Sequence, residues 1–349
     1  MKPEKNERLI WLEELLSTPG AVIEWEQGGL LFLQGSYSVL KNIPKKFTVL
    51  VPNFFQEKFL SLNVKNSFVL EKNFFYEFLS DLELNTKQKI LRNQDSIYEQ
   101  DFQELKKQLN QDFQKAVLIS REEFKPDHVI QFKIHLLKKS LEVQEGLTFG
   151  FWTEKQGMIG ATPEILYQRD GMNFSTMALA GTRPIEKKKE LLEDSKEKIE
   201  HEIVIKDIAE KIAPMTDQLK VGKTSIADFR NLSHLKTPMT ATLKHKVTDS
   251  DLISALSPTA ALGGYPFKKA LDFIRGSHYH QQFPERFYGS SLCVSQQHET
   301  RSLVMIRGVQ WENEKFFLEN GGGIVEASTF SNELKEVHLK RNSIKKHYL

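Results

Sequence analysis

Close to the C-terminal end of the chain, Gly321, Gly322 and Gly323 stand in a row, and Glu333, Glu336 and Lys340 follow within a few turns of chain. Glycine lets backbone N–H groups approach a ligand closely, an arrangement suited to an anion such as a carboxylate, and these three are expected to end a strand. On a helix, Glu333, Glu336 and Lys340 share one face. Two carboxylates on one turn can hold a hard divalent cation through oxygen, and magnesium uses few protein carboxylates while leaving its other positions to water and substrate. The same Glu and Lys spacing also decorates solvated helices, so the pattern alone leaves both readings open.

Three further positions could carry chemistry. In Glu200-His-Glu-Ile-Val the apolar Ile199, Ile203 and Val204 mark a buried helix side with Glu200 at its edge, which suits a ligand or a solvated face. In Gly160-Ala-Thr-Pro-Glu164 a carboxyl opens the strand pattern Ile-Leu-Tyr, where desolvation would raise its pKa and prepare a general acid. Lys115 opens Ala-Val-Leu-Ile, where burial would favour the free amine and make it available as a base. Glu164 and Lys115 each have a plain alternative, a charged residue at a strand entrance with its head in water.

The elements that must position these groups are readable from periodicity. Apolar spacing predicts a helix over 5–16, stopped by Pro19-Gly20, then short strands over 21–25, 30–33 and 47–51 in an antiparallel meander. Seven phenylalanines between Asn53 and Phe78 suggest a packed layer or an interface. Helices are expected over 98–113, 129–141, 187–212, 266–275 and 331–348. Strands are expected over 115–120, 146–152, 157–161, 165–168, 174–179, 303–307 and 315–318. No fixed-period repeat and no low-complexity linker interrupts them, so the fold class is α+β with large antiparallel sheets.

Composition bounds the partners. The 349 residues hold 48 Lys+Arg against 46 Asp+Glu, so the basic footprint that a phosphate backbone needs is absent from the whole-chain balance. With 40% hydrophobic and 27% charged residues the chain is far from the disordered corner of composition space. The single cysteine, Cys293, excludes an internal disulfide and a multi-thiolate zinc site, and it is expected to be a small buried apolar residue. The first residues have no apolar stretch of signal-peptide length, and nowhere do about 18 apolar residues run together. The expectation is a cytoplasmic protein that binds neither nucleic acid nor membrane.

The ordered set Lys115-Ala-Val-Leu, Gly160-Ala-Thr-Pro-Glu, Ala178-Leu-Ala-Gly-Thr-Arg-Pro, Glu200-His-Glu-Ile-Val, His234-Leu-Lys-Thr, Pro258-Thr-Ala-Ala-Leu-Gly-Gly-Tyr-Pro, Met305-Ile-Arg, Gly321-Gly-Gly-Ile-Val and Glu333-Leu-Lys-Glu with Lys340 resembles the chorismate-binding enzyme family. That family includes isochorismate and salicylate synthases and the first components of anthranilate and aminodeoxychorismate synthases. The resemblance runs from about Lys115 to Lys340. It implies a four-layer fold, two antiparallel sheets packed face to face with helices outside. Residues 1–349 would form a single interwoven domain with a diverged portion over 1–110 and a motif-bearing portion over 111–345.

By position, the resemblance implies that Glu200, Glu333 and Glu336 hold Mg2+ against the ring carboxylate of chorismate. Arg307 would meet a second carboxylate, Gly321, Gly322 and Gly323 would lend N–H groups, and Lys340, Thr182, His234, Ala261 and Leu262 would line the pocket. Water-adding members carry lysine at the Lys115 position where ammonia-using members carry glutamine. Ala180 stands where common aminodeoxychorismate synthases have a nucleophilic lysine, and the pair Ala261-Leu262 leans toward isochorismate. The implied activity is therefore isochorismate synthase, with Lys115 as base and Glu164 as acid, serving menaquinone or siderophore precursors. Salicylate synthase and a diverged chorismate-binding protein are the alternatives, and the expected state is a monomer or weak homodimer. Ser257, Ala260 and Ser120 depart from the family pattern, as does Phe283 to Cys293, where Arg286 would fill an arginine position only from a shifted register.

Overall fold

The computed structural model describes residues 3–25 and 28–349. Antiparallel pairing joins eighteen strands into one hydrogen-bonded network. The network doubles back through a long hairpin, Gly29–Leu40 against Phe59–Glu71. One part of this hairpin pairs with Gly20–Glu24 and the other with Val49–Pro52, so the hairpin belongs to two sheets at once. The bend falls at a register shift between Gln34 and Gly35, where a Cβ on Gly35 would stand 1.9 Å from the Asn63 carbonyl oxygen.

Strand alternation sorts the side chains into layers. Ala21, Ile23, Leu31, Phe149, Phe151 and Met158 of one sheet pack with Val49, Leu60, Leu62, Leu292, Leu303 and Met305 of the other. On the far side of the first sheet, Val22, Phe32, Trp152, Ile159 and Trp311 meet the helices Lys5–Ser17, Val129–Leu141 and Phe330–Tyr348. On the far side of the second, Tyr167, Phe174, Ala178 and Met239 meet Ser195–Ile212 and Asp249–Leu256. Two sheets face to face with helices outside is the α+β arrangement expected. The Phe-rich segment is part of that packing. Phe68 stacks on Phe32 at 5.2 Å and Phe75 meets the same ring edge-on at 5.3 Å, each such ring burying about 1.5–3 kcal/mol of apolar transfer energy.

The helix expected over 98–113 is Asp95–Lys106, and two further differences from the periodicity bear on the site. The helix expected over 187–212 is broken: Ile185–Leu192 is a 3₁₀ segment, and the α-helix starts afresh at Ser195, capped by Asp194 accepting from the Glu197 N–H at 3.1 Å. The three glycines do not end a strand. They lie inside Lys315–Val325, fully paired with Lys115–Pro126.

Candidate active site

Lys115 begins its strand in register with Val325 and is completely buried. Its Nζ lies 2.8 Å from Glu200 Oε1, outside hydrogen-bonding angles, and this contact replaces water as the partner of the charge. Gly323 makes the meeting possible. A Cβ there would stand 2.3 Å from Glu200 Oε1 and 2.6 Å from Lys115 Cε. None of the three glycines has a positive φ, so their purpose is space and not a turn, in keeping with their place inside the strand. The Gly321 N–H points away from the partner strand and donates to Tyr288 Oη at 3.2 Å, and by alternation the Gly323 N–H faces the same way.

A cavity of about 60 Å³ opens beside this pair, lined by Glu164, Thr182, Glu200, His234, Ala261, Leu262, Tyr288, Arg307, Gly321, Gly323 and Lys340 among others. Lys115 itself lies behind Glu200, off the cavity wall. Glu164 is held between the strands Gln156–Thr162 and Ile165–Asp170, with its N–H donating to Thr162 Oγ1 at 3.2 Å and Oε1 accepting from Thr259 at 3.4 Å. Burial pushes this carboxyl up to about 8, against the opposing pull of Thr259, Lys115 and Arg307, so it is a protonated acid at neutral pH. Of the two alternatives left open by the sequence, the buried one holds for both Lys115 and Glu164.

Arg307 follows the strand Glu299–Val304, which ends sooner than expected, and it takes φ 59°, an uncommon left-handed conformation for a non-glycine residue. Its Nη2 donates to His234 Nε2 at 3.3 Å, while His234 Nδ1 lies 3.0 Å from the Gly181 carbonyl oxygen and 3.2 Å from Thr182 Oγ1. Accepting at Nε2 leaves the proton on Nδ1, the neutral tautomer, and burial together with Arg307 and Lys340 holds the imidazole down at about 3. Arg307 Nη1 is buried with no partner, a free donor beside the cavity.

The carboxylates meet across two helices. Glu200 and Glu197 come from Ser195–Ile212, and Glu333 and Glu336 from Phe330–Tyr348. Lys340 Nζ donates to Glu336 at 2.6 Å and to the Gly321 carbonyl at 3.0 Å. Lys196 Nζ sits among the others, 3.0 Å from Glu333, 3.5 Å from Glu197 and 3.7 Å from Glu336. Burial raises Glu197 and Glu333, assisted by Glu336; for Glu336 burial is overcome by Lys340 and Lys196, which hold it down. Glu333 and Glu336 line a second cleft of about 440 Å³, which shares Thr182 with the inner cavity. Apart from Lys115 and Gly322, the expected residues line two adjoining spaces, with acid and arginine on the inner one and two of the glutamates on the outer one. Lys115 stands behind Glu200, and Gly322 faces Tyr98 and Val337 on the helix side of the sheet.

Ile203 and Val204 lie on the buried side of Ser195–Ile212 as expected, but Ile199 is 51% exposed, and Glu197, Glu200, His201 and Ile208 share the buried side. Glu197, one turn before Glu200, was legible only as part of a charged run, and Lys196 carried no signal at all. Tyr288 and Asn320 were also missed. An arginine stands at two of the departures from the family pattern. Ser120 accepts from Arg341, which arrives from the C-terminal helix. Arg286 is buried, with its guanidinium 3.6 Å from the Phe54 ring centroid and Nε donating to the Tyr288 carbonyl. A surface cleft of about 500 Å³ around Trp25, Arg169 and Lys220 contains none of the residues above. Among the described residues, no helix is long and apolar enough to cross a membrane.

A profile of the family described as "Chorismate binding enzyme" matches residues 58–347. The chain is 30% identical over 200 residues to isochorismate synthase MenF of Pasteurella multocida, covering 54% of this chain and 46% of that protein. It is 31% identical over 217 residues to isochorismate synthase MenF of Bacillus subtilis, covering 59% and 45%. The chain thus spans about half the length of these relatives. Among solved structures it is similar to MenF, the menaquinone-specific isochorismate synthase from Escherichia coli, with a TM-score of 0.80 at 20% identity over 98% of this chain and 91% of that one. It is also similar to anthranilate synthase component I from Streptococcus pneumoniae, with a TM-score of 0.67 at 18% identity over 96% and 85%. At those identities the likeness establishes the fold.

Proposed function

The chain belongs to the family of chorismate-binding enzymes, and on that premise we propose that it is a magnesium-dependent isochorismate synthase, moving the ring hydroxyl of chorismate from C4 to C2. The observation that supports this most is the pairing of Lys115 with a protonated Glu164. The two are buried within electrostatic reach of one another, beside a cavity walled by Arg307 and Lys340.

In this reading Lys115, released from Glu200, takes a proton from a water that attacks C2. The electron pair moves through the ring double bonds, the C4–O bond breaks, and Glu164 gives its proton to the departing hydroxyl. One water enters and one leaves, so the net change is an isomerisation, and Lys115 and Glu164 recover their starting states by exchanging protons with solvent. Arg307, with a free Nη1 and a planar fork, meets one substrate carboxylate, and Lys340 and the Gly321 and Gly323 N–H groups face the other. Thr182 and the neutral His234 orient Arg307. Ala261 and Leu262 form the apolar wall.

The donor set suits magnesium. Glu200, Glu333 and Glu336 offer hard oxygens, Glu197 stands behind them, and Glu333 Oε2 is buried without a partner. Lys196 already answers the demand of this cluster for a cation. When bound, the ion would neutralise a substrate carboxylate and help fix the ring. Residues 1–349 act as one interwoven domain in this reading, the 1–110 portion supplying support and not reacting groups. Incubating the purified protein with chorismate and magnesium, and separating products by chromatography, tests the proposal. Isochorismate is expected; accumulation of salicylate with pyruvate, or substrate binding without turnover, would overturn it.

A further inference from the structure

The helix Asp95–Lys106 precedes the motif-bearing part of the chain, and its Tyr98 takes no part in the chemistry above. The ring is wholly buried among Phe102, Leu118, Ile324 and Val337, yet its hydroxyl has no hydrogen-bond partner. A buried phenol usually finds an acceptor, because desolvating the O–H without one is unfavourable. Burial and the nearby Glu333, Glu336, Glu200 and Asp95 push this phenol upward, so it remains a donor throughout the working pH range.

The acceptor it lacks is close by. A Cβ on Gly322 would stand 3.1 Å from Tyr98 Oη and 3.4 Å from Glu333 Oε2, so the two oxygens border the same bare piece of backbone. Glu333 Oε2 is buried and unpartnered in its turn, while Lys196 holds Oε1 at 3.0 Å. An orphaned donor and an orphaned acceptor thus border one glycine. Any larger residue at 322 would fill the space between them.

We propose that Tyr98 is a positioning residue for the cation site, donating to Glu333 Oε2 so that Oε1 stays turned toward the place Lys196 now occupies. This rests on the magnesium reading given above. An outer donor fixes the orientation of a ligating carboxylate, and loss of such a partner typically weakens metal binding 10–100-fold. It also explains why a segment outside the motifs reaches this site.

The experiment is a magnesium titration by calorimetry on the full-length protein and on Tyr98→Phe, with melting curves in the absence of metal. Phenylalanine keeps the ring packing and removes only a hydroxyl that has no partner, so the metal-free variant should melt at or above the parent temperature. Its magnesium dissociation constant should rise about tenfold. Equal affinities in the two proteins would overturn the assignment, as would a metal-free variant that fails to fold or melts several degrees lower, which would mark a packing role. A parent protein that does not bind magnesium would overturn the metal reading and this assignment with it. The first of these results leaves the activity standing, so the two failures are distinguishable.

Discussion

Replacing Lys196 by methionine separates the two tasks its ammonium would combine, holding the metal-free protein together and occupying the place proposed for a metal. Nζ lies 3.0 Å from Glu333, 3.5 Å from Glu197 and 3.7 Å from Glu336, and the side chain is 21% exposed. Burial disfavours its charge, but Glu336, Glu200, Glu197 and Glu333 together outweigh burial and raise it. Removing one partner of a fully buried ion pair costs about 3–5 kcal/mol. A fifth of this side chain is in water, and Glu197 and Glu333 can take up protons in its absence, so about 1–3 kcal/mol is the reasonable loss. In a domain of this size that is a fall of about 1–4 °C in the metal-free melting temperature. A metal must displace the ammonium from the same oxygens, so the variant should bind magnesium about 5- to 100-fold more tightly, at 1.4 kcal/mol per factor of ten. Calorimetric titration and melting curves at neutral pH, with and without magnesium, read both numbers. Saturating magnesium should bring the variant back to at least the parent melting temperature. A folded K196M that binds magnesium no more tightly than the parent would refute the placement of Lys196 at the metal position.

Three further outcomes follow from the same geometry. Glu164 titrates near 8 in the folded protein through burial, well above an ordinary carboxyl, so its contribution to stability is complete below about pH 4.5 and is lost as pH rises through about 8. Turnover should decline over the same rise as the acid loses its proton, and E164Q should abolish turnover and flatten the stability profile between those limits; a parent profile that stays level past pH 9 would mean another acid. K115Q should lose at least about 100-fold in turnover while magnesium-dependent chorismate binding persists in calorimetry, since only the base is removed; unchanged turnover would mean the base is elsewhere. G323A would drive a methyl to 2.3 Å from Glu200 and 2.6 Å from Lys115, costing about 1–3 kcal/mol and disrupting both, so a melting shift should accompany loss of product formation on chromatograms.

How far the sequence speaks for itself depends on whether a residue obeys or breaks the pattern of its element. Val129–Leu141 and Phe330–Tyr348 were read almost to the residue because their apolar stripes face a core and their ends carry ordinary stop signals. Lys115 and Glu164 stood out for the opposite reason, as charges at the head of apolar strands, and both are buried at the site. The helix Ser195–Ile212 follows the pattern only in part, with Ile203 and Val204 buried as expected. Hydrophobic periodicity assumes that charge faces water and places Ile199 inward, whereas the structure exposes Ile199 and buries Glu197 and Glu200. That reversal is stable only because Glu333, Glu336 and Lys340 arrive from a helix far along the chain and Lys196 sits between the two sets. No local window contains that information, since each carboxylate is tolerable in the interior only in the presence of cations that other segments supply. The same holds for the long hairpin Gly29–Leu40 with Phe59–Glu71, whose outer half alternates weakly because it bridges two sheets and not because it is a loop. Conflicts between local pattern and observed burial therefore cluster where the chain assembles charge in its interior, and Ser195–Ile212 is where the proposed cation site lies.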